Sequence, residues 1–191
     1  MSRSLHRWYL RAQVRLLLLL GQQHAVLERV DELLAMDAGD AHALATRAHV
    51  LAELGDKAAA VQALRQWVAL QPTQAAGWFN LGFLSESLGH IDDAEQAFRR
   101  AIALDEKFDR AWYGLALCLI QQRRFEEAIV ALKRNTELQP MSPFGWYQLA
   151  RVHVDRQEPE EAARIIRHLR KFEPKVAAQL ERETGLAQGQ T

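Results

Sequence analysis

Residues 75–108 read AAGWFNLGFLSESLGHIDDAEQAFRRAIALDEKF, two stripes of apolar and small residues separated by a glycine. The first runs Trp78, Leu81, Gly82 and the second Ala94, Ala97, Phe98, Ala101, each at the spacing that gathers side chains on one face of a helix. Gly89 and His90 part them, and Gly21 and Gly55 recur at the same phase, where a residue able to take a positive φ ends a helix. The segment is predicted to be a helical hairpin. It also repeats: Trp78, Trp112 and Trp146 are 34 residues apart, and so are Leu81, Leu115 and Leu149, and Ala60, Ala94, Ala128 and Ala162. Carrying the phase outward gives five contiguous units, 7–40, 41–74, 75–108, 109–142 and 143–176.

The residues between the markers agree with this reading. Small residues at Ala48, Gly82, Ala116 and Ala150 are expected to face Ala60, Ala94, Ala128 and Ala162, letting the two helices of a unit approach closely. Asp92–Asp93, Glu126–Glu127 and Glu160–Glu161 open the second helices, where the helix dipole favours acids, and Arg99–Arg100 and Lys133–Arg134 lie towards their ends. Pro159 falls in a first turn, and Pro140 and Pro174 stand where a helix should stop.

This pattern of Trp, Leu-Gly, Ala, aromatic and closing Pro resembles the tetratricopeptide repeat (TPR), with Glu106 in place of one proline, over about nine-tenths of the chain. The resemblance implies an all-α, right-handed α-α superhelix of five hairpins forming one domain over residues 1–184. The first unit matches least, with Gln13, Val14 and Val26 at signature positions. Ser85 and His153 stand at a usually apolar position, and Trp67 and Asn135 at a usually small one. Ala75, Ala76 and Gly77 are expected to make room for the Trp67 indole.

A solenoid needs a polar cap at an end that faces water. Residues 174–184, PKVAAQLERET, supply one, with Leu180 at the tryptophan phase but Glu183 and Thr184 where Leu and Gly should be. Residues 185–191 are expected to form a flexible tail. At the other end, Trp8, Tyr9, Leu10 and residues 16–20 make the first helix apolar on nearly every side, a pattern normally buried all round. That end is expected to dock on a partner or a second copy of the chain, through Trp8, Arg11, Arg15, Leu18 and Leu19; the opposing reading packs the leucines on the first two hairpins. Arg3, Arg7, Arg11 and Arg15 recur every four residues, a stripe whose usual reading is a solvated face.

By resemblance, the first helices of the units line a concave groove that holds peptides. Its partner-binding residues would be Phe79, Asn80 and Phe83, then Arg110, Tyr113 and Leu117, then Phe144, Tyr147 and Arg151. Aromatics with arginines suit a protein or peptide bearing hydrophobic anchors and acidic groups. Asn80 and Arg110 match part of the carboxylate clamp of some family members, but Ala45, His49 and Gly114 replace the rest, so capture of a C-terminal carboxylate is not expected.

Composition narrows the remaining classes. Lys plus Arg equals Asp plus Glu at 24 each, leaving no global field to gather nucleic acid. No apolar run approaches the roughly 20 residues that span a bilayer. Cys118 stands alone in an apolar stretch, so no internal disulfide forms and a cytoplasmic setting fits. The seven histidines show no ligand pair four residues apart, and neither a phosphate loop nor a nucleophile elbow appears. No catalytic residue, cofactor or metal is therefore expected. The reading is a non-enzymatic adaptor or scaffold, with a dedicated chaperone or an accessory subunit of a separate enzyme as the alternative.

Overall fold

The computed structural model describes residues 2–186, which form eleven helices and no strand. The chain divides into two compact units, Met1–His90 and Ile91–Thr191. The first holds α1 (Arg3–Leu19), α2 (Gln23–Met36), α3 (Ala41–Glu53), α4 (Lys57–Leu70) and α5 (Ala75–Ser87). The second holds α6 (Ile91–Leu104), α7 (Asp109–Gln121), α8 (Phe125–Leu138), α9 (Pro143–Asp155), α10 (Pro159–Leu169) and α11 (Pro174–Thr184). The tail expected over 185–191 lies outside the described residues from 187 onward.

The 34-residue period is written into the helix starts: Ala41, Ala75, Asp109 and Pro143 on one series, Gln23, Lys57, Ile91, Phe125 and Pro159 on the other. α1 breaks the series by starting at Arg3, four residues before the unit predicted from 7, because Ser2 caps it by accepting a hydrogen bond from the Leu5 N–H at 3.3 Å. The turn after each first helix needs one left-handed residue. Gly21, Gly55 and Gly89 supply it, and at the same phase Arg123 and Gln157 take φ of 60° and 62°. Each turn closes alike, as where Asp56 donates to the Leu51 carbonyl and Arg124 to that of Leu119.

The small residues expected between paired helices are buried: Ala48 and Ala60 in the first unit, and Ala116, Ala128, Ala150 and Ala162 in the second. The repeating tryptophans close the units with one hydrogen bond. Trp78 Nε1 donates to the Pro72 carbonyl, Trp112 Nε1 to that of Glu106 and Trp146 Nε1 to that of Pro140, at 2.9, 3.0 and 2.9 Å. Since a backbone oxygen accepts, Glu106 serves as well as proline.

Stacking from one hairpin to the next pairs large with small. A methyl group placed on Gly77 would fall inside the Trp67 indole, as the sequence suggested for that tryptophan. The Phe98 ring covers Gly114, and Asn135 covers Gly145. Asn135 is held there by donating Nδ2–H to the Asp109 carbonyl at 2.9 Å, which explains a polar residue at a usually small, buried position. His153, also buried, pairs its Nδ1 with Glu158 at 2.7 Å.

Candidate functional site

In the first unit α3 contributes three small side chains in succession along one face, Ala45, Ala48 and Ala52, and α5 stands beside it. The result is a cleft of about 230 Å³, lined also by His49, Leu64, Trp67, Asn80, Phe83 and Leu84. Phe83 is exposed and stacks on Phe79 with ring centroids 6.3 Å apart. Asn80 is exposed at the rim, and its side chain makes no hydrogen bond to other described residues. His49 leans on Glu53 at 3.3 Å. The cleft is mainly apolar, because alanine and histidine stand where a carboxylate clamp would carry lysine and asparagine. Of the predicted site residues the structure gathers Asn80 and Phe83 here, with Phe79 stacked beside them.

In the second unit Arg110, Tyr113 and Leu117 lie on α7, with the Arg110 guanidinium 5.4 Å from the Phe108 ring centroid. Phe144 is exposed and forms a small cleft with Tyr147, Pro143, Val176 and Gln179. Tyr147 and Arg151 are already engaged: the Tyr147 hydroxyl donates to Glu183 at 2.6 Å, and Arg151 reaches the same carboxylate at 3.3 Å. The Tyr147 hydrogen bond, then that of Gln179, holds the Glu183 carboxyl below the usual range. Glu183 thus does more than solvate the cap; it places a carboxylate on two residues predicted to recognise one.

At the N-terminal end the arginine stripe divides. Arg15 is exposed and forms no ion pair among the described residues, while Arg11 Nη2 lies 2.7 Å and Arg7 Nη2 3.2 Å from Oδ2 of Asp40. The Asp40 side chain is only 2% exposed, and its Oδ1 caps α3 by accepting from the Ala43 N–H. Burial alone would raise the Asp40 carboxyl; Arg11, the Ala43 N–H and Arg7 together hold it below the ordinary value. Arg11, expected to dock a partner, is therefore committed within the chain. Trp8, Leu18 and Leu19 are exposed, as are Leu5, Tyr9, Leu16 and Leu20, whereas Leu10 is buried and Leu17 packs against the core, so the leucines divide between the hairpins and the outer face.

Among the described residues no group of three His, Cys, Asp or Glu is placed to hold a metal ion, and no helix is long and apolar enough to cross a membrane.

Stacked helical hairpins of fixed length, closed by a tryptophan and joined through small residues, define a helical-repeat protein. Tetratricopeptide repeat family models match residues 41–74 and 86–143, and the chain is a tetratricopeptide repeat protein. No curated protein matches it in sequence. Among solved structures it is similar to a MamA protein (18% identity, 97% of each chain, TM-score 0.82). It is also similar to MamA 41-end from Desulfovibrio magneticus RS-1 (21% identity, 93% of this chain and 96% of that one, TM-score 0.78). YrrB, described as a TPR protein with an unusual peptide-binding site, matches at 18% identity over 88% of each chain with a TM-score of 0.81. At these identities the likeness shows the fold.

Proposed function

We propose that the chain is a non-enzymatic protein-binding module whose α3–α5 cleft takes a large apolar side chain of a peptide segment. The observation that carries the reading is the cleft itself: alanines on one wall, Trp67 and Leu64 from α4, and Phe83 and Leu84 on the other. Such a surface offers rigid apolar area at little entropic cost, and Asn80 at its rim has both a donor and an acceptor for peptide backbone. YrrB, which has the same fold, is a peptide binder by its description.

The test is selection of peptides from a random library on the purified chain, followed by fluorescence anisotropy with the selected peptides. Ala52→Leu fills the cleft from a half-buried helix position without removing a helix-forming residue. Affinity should fall by about tenfold or more, the equivalent of about 1.4 kcal/mol. Selected peptides that bind Ala52→Leu as tightly as the parent chain would overturn the reading.

A further inference from the structure

The α3–α5 cleft coincides with a gap in the repeat. Counted in steps of 34 residues, Ala45 corresponds to Phe79, Tyr113 and Tyr147, so the three following hairpins carry an aromatic ring where this one carries a methyl group. The preceding hairpin has Arg11 there, which is turned to Asp40. Ala48 corresponds to Gly82, Ala116 and Ala150, which are small throughout, and takes no part in the difference.

Where the ring is present, its place is visible. Tyr147 is half-buried on α9 and reaches across to α11, where its hydroxyl donates to Glu183 at 2.6 Å. α3 and α5 share a cleft as α9 and α11 do, so a ring at position 45 would reach from α3 towards α5. The α7–α9 pair gives a second comparison. Tyr113 is half-buried there, and the opening between the two helices is lined by Ile120, Gln148, Arg151 and Val152, the counterparts of Ala52, Asn80, Phe83 and Leu84. Leu132 and Asn135 of α8, the counterparts of Leu64 and Trp67, do not line it. The α3–α5 cleft therefore extends down to α4, and the α7–α9 opening stops short of α8. Trp67 gives way to the smaller Asn135, an exchange that would deepen the second opening, so the Tyr113 ring in place of Ala45 is what closes it.

We infer that the α3–α5 cleft is a receptor for an aromatic side chain, with the ring of a partner peptide standing where the repeat's own ring is missing. This rests on the peptide-binding reading above and narrows its apolar anchor to an aromatic one. The walls suit a ring. Trp67 is held against Gly77, so its indole forms a side of the cleft without filling it, and Phe83 and His49 stand at the other sides. Aromatic pairs add to the area they bury through the attraction of ring edge to ring face, which an aliphatic anchor of equal volume lacks.

The test is an NMR titration of the full chain with N-acetyl-phenylalaninamide, N-acetyl-cyclohexylalaninamide and N-acetyl-leucinamide, followed at the Trp67 indole N–H and the Asn80 side-chain amide. The phenylalanine derivative should bind at least about threefold more tightly than either of the others. Ala45→Phe, which supplies the ring from the chain itself, should weaken that binding about tenfold or more with circular dichroism unchanged; the comparison of the three amides on the parent chain needs no variant. Three results would overturn the inference: equal affinity for the phenylalanine and cyclohexylalanine derivatives, undiminished binding to a folded Ala45→Phe chain, or no shift at either reporter with the phenylalanine derivative. Each of these leaves the peptide-binding reading standing where Ala52→Leu weakens the selected peptides, and peptides indifferent to Ala52→Leu overturn that reading by themselves.

Discussion

The indole of Trp67 occupies the volume that a side chain at Gly77 would need. Glycine at 77 is thus a consequence of tryptophan at 67, and the two should behave as one unit in mutagenesis. Gly77→Ala should cost about 1–3 kcal/mol by overpacking. In the Trp67→Ala background the same change should be neutral or stabilise by up to about 1 kcal/mol, since alanine is the better helix former. A double-mutant cycle from urea unfolding measures the coupling.

Arg123 and Gln157 hold the left-handed turn position that glycine fills at 21, 55 and 89. A side chain there costs about 1–2 kcal/mol of backbone strain. Arg123→Gly and Gln157→Gly should each raise stability, by up to about 1 kcal/mol after the glycine's greater unfolded-state entropy is counted, with additive midpoints in urea.

Ser85 is fully buried and its hydroxyl has no partner among the described residues, while Leu119 stands buried at the same phase. Ser85→Ala should therefore be neutral or stabilise by about 1 kcal/mol, read as a rise in the thermal midpoint.

Much of the fold is legible in the sequence, because a fixed period is carried by many residues and survives individual departures. Glu106 for proline changes nothing that Trp112 reads, and the weak first unit still begins α2 on phase at Gln23. The ion pairs at the ends were not legible. Arg11 and Asp40 are 29 positions apart, and an arginine stripe reads as solvated until the neighbouring helix brings a carboxylate beneath it. Asp40 directly before Ala41 was a visible cap signal, but a cap does not announce the arginine that covers it. Likewise Glu183 reads as a solvating residue, and only the placement of α11 against α9 brings it to Tyr147.

Asp40 predicts a pH dependence. Its carboxyl lies below the unfolded value when folded, so the stability it contributes is full above about pH 4 and is lost as the pH falls through the folded-state pKa. Asp40→Ala should cost about 2 kcal/mol at neutral pH, from the lost cap and the arginine contacts, and the penalty should shrink in acid. Denaturation midpoints at pH 7 and pH 3 measure both.

The proposed α3–α5 cleft receives an apolar peptide side chain. Its most direct test is a heteronuclear NMR titration of the chain with a library-selected peptide. Shifts are expected at the Trp67 indole N–H, the Asn80 side-chain amide and the methyls of Ala45, Ala48 and Ala52, saturating together. Shifts confined to α1 or to α6–α11, with these five probes unmoved, would contradict it.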